Sequence, residues 1–92
     1  MVNRRVLTDQ GSIMVVEVEL AEGFHGDVDQ HVHEQVSYIK KGSCEFEVGG
    51  VKRILQVGDV QYIPSNVVHR VKVIEDCVIL DVFTPIREDL VE

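Results

Sequence analysis

Apolar and polar side chains alternate with a period of two through most of this chain, and that pattern leaves few folds open to it. Met14, Val16, Val18 and Leu20 fall on one side of an extended segment, with Glu17 and Glu19 on the other. Cys44, Phe46 and Val48 alternate with Glu45 and Glu47, and Val71 and Val73 with Arg70 and Lys72. Each run reads as a strand with one buried and one wet face. Turn residues separate the runs at Gly23, Gly26, Gly42, Gly49-Gly50, Gly58-Asp59, Pro64 and Glu75-Asp76. Gly49-Gly50 predicts a tight hairpin of the primed type. No segment holds an i, i+3, i+4 pattern for three turns, and the best helical candidate is the short tail Arg87–Glu92. Short strands at regular spacing predict an all-β sandwich or barrel.

A chain of 92 residues without linker, repeat or low-complexity segment is expected to form one domain over residues 1–92. Its core would run from about 10 to 84, between a short N-terminal strand and a C-terminal tail. So small a core gives thin stability, which a disulfide, a metal or a second subunit commonly supplements. Cys44 and Cys77 lie outside any C-x-x-C pattern, which excludes a structural zinc finger and favours two buried free thiols. Nine basic against sixteen acidic residues give a net charge of −7. With no basic stripe, neither nucleic acid nor an anionic membrane is an expected partner. No apolar run has the length of a signal peptide or a membrane span, so a soluble, cytoplasmic protein is expected.

The chemistry concentrates in Asp29-Gln30-His31-Val32-His33-Glu34-Gln35. On an extended strand Asp29, His31 and His33 project to one side, close enough to share a metal ion. His69, on a later strand-like run, would complete such a site. A lone strand histidine is more often a surface or hydrogen-bonded residue, and His25, between Gly23 and Gly26, reads that way. A second cluster lies in Cys77–Phe83, a run apolar on both faces, as expected of a strand buried on both sides, and interrupted by Asp81. A buried carboxylate needs a partner. Either Arg87 clasps Asp81 and ties down the tail, or Asp81 faces a cavity as an acid/base or substrate contact.

The spacing of these residues resembles the cupin superfamily. Gly23, five residues, Asp29-Gln30-His31, three residues, Gln35, six residues and Gly42 follow that family's first motif. Gly58, five residues, Pro64-Ser65-Asn66, two residues and His69 follow its second, with Asn66 standing for a glycine. Asparagine is a frequent non-glycine choice where φ is positive. The resemblance implies a double-stranded β-helix, or jelly-roll barrel, holding one divalent transition metal: Zn, Mn, Fe, Ni or Co. Asp29 occupies the family's first histidine position. The ligand set is therefore His31, Gln35 and His69 with either His33 or Asp29.

The same stretch, followed by Asp81-Val82-Phe83-Thr84-Pro85-Ile86-Arg87-Glu88-Asp89, is similar to the small cupins of pectin and alginate breakdown. Those enzymes convert 4,5-unsaturated uronates into linear keto sugars. The resemblance implies that Asp81, Phe83 and Arg87 line an active site. Asp81 would shuttle a proton, Arg87 would hold a substrate carboxylate bidentately, and Phe83 would form an apolar wall. Tyr62 is a further candidate substrate contact, though a core or edge role suits Tyr62 and Tyr38 equally. A cupin-type metal-dependent dioxygenase or oxidase is the alternative enzyme, and a non-catalytic small-molecule-binding or sensor cupin the alternative outside enzymes. Exposed edge strands make a homodimer the expected assembly, with Asn3–Thr8 able to add to a neighbour's sheet.

Overall fold

The computed structural model describes residues 2–90. It contains six strands: β1 (Val2–Thr8), β2 (Met14–Leu20), β3 (Glu34–Val48), β4 (Val51–Leu55), β5 (Val60–Ile63) and β6 (His69–Thr84). All pair antiparallel in one sheet of order β1-β2-β6-β3-β4, with β5 also against β3. The long pair β3 and β6 forms the spine. Its register shifts at Ile39/Lys41, Lys41/Ser43 and Ser43/Cys44. Such bulges kink a ladder, so the spine bends at this point. Gly42 sits in this bend, where a Cβ would collide with the backbone carbonyl of Asp76.

The alternation of the sequence becomes the inner and outer faces. Met14, Val16, Val18 and Leu20 are buried, together with Ile39, Cys44, Phe46, Leu55, Ile63, Val73, Cys77, Ile79 and Phe83. Both cysteines are buried free thiols. Burial pushes the Cys44 thiol far above its usual range, so the pair is inert packing. The β3–β4 hairpin turns on Gly49 and Gly50, both at positive φ (57° and 83°), as a primed turn requires. Asn66 also adopts a positive φ of 64°.

Two expectations need correction. Val78, Leu80 and Val82 are half-buried, so β6 is not covered on both faces. The tail forms only a 3-10 turn at Glu88–Leu90, too short for an amphipathic helix; Val91 and Glu92 of the expected helix lie outside the described residues. The N-terminal stretch pairs with β2 of its own chain, which leaves one edge of β1 without a strand among the described residues. No helix among the described residues is long and apolar enough to cross a membrane.

Between β2 and β3, residues 23–29 run beside the start of β6. Gly26 N–H donates to Val71 C=O at 2.9 Å. Asp29 and His69 exchange both backbone bonds, at 2.8 and 2.9 Å. This extra ladder brings the acidic and histidine-bearing segment against His69.

Candidate active site

The register of three strands assembles the site in layers. Phe83 on β6 lies opposite Gln35 on β3 and Met14 on β2. Two residues along, on the same inner face, Asp81 lies opposite Ser37 and Val16. Ser37 Oγ donates to Asp81 Oδ1 at 2.6 Å, and Gln35 Nε2 donates to the same oxygen at 3.1 Å and to Ser37 Oγ at 2.9 Å. The Gln35 amide is thereby oriented, with Oε1 facing the other way. Burial pushes the Asp81 carboxyl above the usual carboxylate range. The bonds from Ser37 and Gln35 and the charges of Arg4 and Arg87 hold it back only in part.

Gln35 Oε1 points at His31 Nε2, 3.1 Å away. His31 Nδ1 lies 2.9 Å from the backbone oxygen of His33, which can only accept, so Nδ1 carries the proton. In a neutral ring Nε2 then holds its lone pair, and that lone pair meets the lone pairs of Gln35 Oε1. His69 is fixed the same way, Nδ1 donating to Val67 C=O at 2.9 Å. Its ring centroid lies 4.8 Å from that of His31. Acceptors converging without a donor are what a cation satisfies, and backbone anchoring of the far ring nitrogen is the usual support of a metal-bound imidazole. Asp29, His31 and His69 each offer a ligand atom, all within 4.8 Å of one another. The residues present therefore fit a divalent metal.

Sequence spacing left Asp29 and His33 as rivals. The ladder with His69 carries Asp29 into the converging group. His33 lies outside that group, its ring 5.4 Å from that of His31, with Nδ1 buried and unpartnered among the described residues.

Phe83 is buried edge-on to His31, 5.9 Å between centroids, and the Arg87 guanidinium lies 5.2 Å over the Phe83 ring. Of the two readings of Asp81, the clasp with Arg87 does not form among the described residues. Arg87 gives its Nε and Nη2 to Asp89, at 3.2 and 2.6 Å, and sets Nη1 3.6 Å from Asp29. The two-pronged edge expected for a substrate carboxylate is thus closed on Asp89, whose carboxyl it holds below the usual range. Nor does Tyr62 reach the site. Its neighbour Ile63 points inward, so Tyr62 stands half-exposed on the outside and donates its hydroxyl to the Glu34 carboxylate. Tyr38 and His25 are exposed as well. Sequence reasoning missed Ser37, although its position two residues after Gln35 placed it on the same face.

Gln35, Asp81, Phe83, His69 and Arg87 all line one cavity of about 360 Å³, large enough for a monosaccharide-sized ligand. Asp81 at its wall, with the imidazole of His69 and the amide of Gln35, sets a buried carboxyl and metal-ligating atom types around one small-molecule-sized space.

Residues 16–83 match the cupin domain, and the chain belongs to the cupin family. Over 90 residues it is 36% identical to the pectin degradation protein KdgF of Dickeya dadantii (strain 3937), covering 96% of this chain and 82% of that protein. The structure of KdgF from Halomonas sp. superposes with a TM-score of 0.94 at 32% identity, over 98% of this chain and 84% of the other. A RmlC-like cupin from Shewanella frigidimarina NCIMB 400 gives 0.94 at 33% identity, over 98% and 81%.

Proposed function

We propose that this protein is a metal-dependent enzyme that opens 4,5-unsaturated uronates to linear keto sugars. The observation that carries the reading is the shared amide of Gln35, which lines the cavity with Asp81 and joins that carboxyl to the imidazole of His31. The likeness to proteins named for pectin degradation supports the substrate class.

Asp29, His31, Gln35 and His69 would hold the ion, and such mixed nitrogen and oxygen donors suit Zn, Mn, Fe, Ni or Co. When bound, it supplies Lewis-acid polarisation of a substrate oxygen. Asp81 takes the proton of the anomeric hydroxyl. The O1–H pair becomes the C1 carbonyl, the bond from C1 to the ring oxygen breaks, and that oxygen becomes the C5 carbonyl. The π pair of C4=C5 then takes the proton back from Asp81 at C4. Atoms and electrons balance without a redox partner. Ser37 and Gln35 keep Asp81 aimed through this cycle, and Phe83 with Arg87 over its ring forms the wall against which the sugar lies. The test is the ultraviolet absorbance of an unsaturated uronate, followed with purified protein before and after chelation. A chelator-sensitive loss of absorbance is expected; no rate above the spontaneous one would overturn the reading.

We also propose a homodimer. On the outer face Val15, Val82 and Val36 stand in one cross-strand row, and Leu80, Tyr38 and Val60 in the next. These side chains are half-buried or exposed, an apolar patch on a sheet face that a second copy would cover. Sedimentation at micromolar concentration is expected to give twice the chain mass, and Leu80→Glu, which places a charge in the patch, is expected to give monomer.

A further inference from the structure

We propose that Arg4 anchors the substrate carboxylate and so places C4 of the sugar against Asp81. This deepens the uronate reading and rests on it. Arg4 is paired across the sheet with Val18, whose side chain is buried, so Arg4 projects from the inner face of β1. It lines the same cavity as Asp81, Gln35 and His69. Arg5, one residue on, faces outward and pairs with Glu17 at 3.3 Å. The two adjacent arginines thus have opposite surroundings: one neutralised on the surface, one aimed over the cavity.

Among the described residues the Arg4 guanidinium has no ion pair or hydrogen bond, whereas of the other arginines lining the cavity Arg87 is closed on Asp89 and faces Asp29, and Arg70 pairs through Nε with Glu47 at 3.3 Å. Arg4 is therefore the cavity guanidinium with its whole planar fork open, the geometry that takes a carboxylate bidentately. Its position also answers an electrostatic problem. A uronate must bring its own carboxylate near Asp81, and like charges repel. A guanidinium two strands away, lining the same cavity, offsets that repulsion. The register sets the spacing: Val16 lies between Asp81 and Val6, and Val18 between Ile79 and Arg4, so Arg4 stands two strands over and one inward step along from Asp81. In a 4,5-unsaturated uronate the carboxylate is carried on C5, next to C4. Holding the carboxylate at Arg4 leaves C4 as the neighbouring carbon toward Asp81.

The experiment compares wild-type holoenzyme with Arg4→Gln and Arg5→Gln. Arg4→Gln is expected to raise KM for the unsaturated uronate about 10- to 100-fold, the loss of a charge-assisted bidentate contact. Its kcat should change far less, and its metal content and melting temperature should match wild type. Arg5→Gln should keep the wild-type KM. A KM for Arg4→Gln within about 2-fold of wild type overturns the proposal. Should that variant fold poorly, Arg4→Lys keeps the charge without the fork and is expected to raise KM by a smaller factor; an unchanged KM again overturns it. Equilibrium binding of galacturonate and of neutral galactose to the metal-loaded protein separates this proposal from its parent. If wild type shows no turnover, the uronate reaction fails. A preference for the acid that Arg4→Gln abolishes still supports the anchor, and equal or absent binding of the two sugars removes it.

Discussion

Asp81→Asn is expected to lower turnover on an unsaturated uronate by a factor on the order of 10²–10⁴, the range a positioned acid/base contributes, while raising the melting temperature of the metal-free protein. The two effects have one cause. Burial disfavours the ionised carboxyl, and its partners compensate only in part, so the folded-state pKa of Asp81 stands above the unfolded one. A carboxyl with a raised folded-state pKa contributes its full stability only when protonated in both states, and that contribution is lost as pH rises through the folded value. At neutral pH the wild type therefore carries a penalty that a neutral amide lacks. Asparagine retains an Oδ1 able to accept from Ser37 Oγ and Gln35 Nε2, so the local bonds survive. Relief of ~1 kcal/mol corresponds to roughly 4–8 °C in a domain of this size. The gain should be largest at neutral pH and vanish below the unfolded value of about 3.9. Paired scanning calorimetry and kinetics check it; a variant both less active and less stable would mean that Asp81 serves the fold rather than the reaction.

The fold was legible because period-two alternation fixes which side of each strand is buried, and the buried sides of β2, β3 and β6 coincide with the alternating runs. The Gly49-Gly50 hairpin and the positive φ of Asn66 were legible for the same local reason: few residues tolerate those backbones. What depends on register between distant strands was not. Ser37 meets Asp81 only because β3 and β6 pair in one particular alignment. Arg4 and Arg5 stand side by side in the sequence, and the pairing of Arg4 with Val18 is what separates the two. The case for Asp29 over His33 likewise rests on the short ladder that Asp29 makes with His69, which no spacing within the 29–35 segment reveals. The half-exposed second face of β6 was misread because apolar residues on both sides suggest burial on both, whether or not a second layer covers them.

Chelation is expected to abolish activity and to lower the melting temperature. A metal at about 100 times its dissociation constant stabilises by ~2.7 kcal/mol, or roughly 10–20 °C at this size. With the His31 ring neutral, its Nε2 and Gln35 Oε1 are two acceptors 3.1 Å apart, an arrangement that a bound cation would satisfy and its removal would not. His69→Ala should eliminate the metal-dependent shift, because it deletes one of the convergent nitrogens while adding metal can no longer bridge to β6. Asp29→Ala should weaken it strongly, since Asp29 belongs to the converging group. His33→Ala should leave it nearly intact. It is the backbone oxygen of His33, not its ring, that holds His31 in the required tautomer, and the alanine variant keeps that oxygen. Melting curves of the three variants with and without added metal decide the matter. A shift lost in His33→Ala and preserved in Asp29→Ala would move the fourth ligand to His33, and a wild type with neither bound ion nor chelator response would leave the cavity to a non-catalytic binding role.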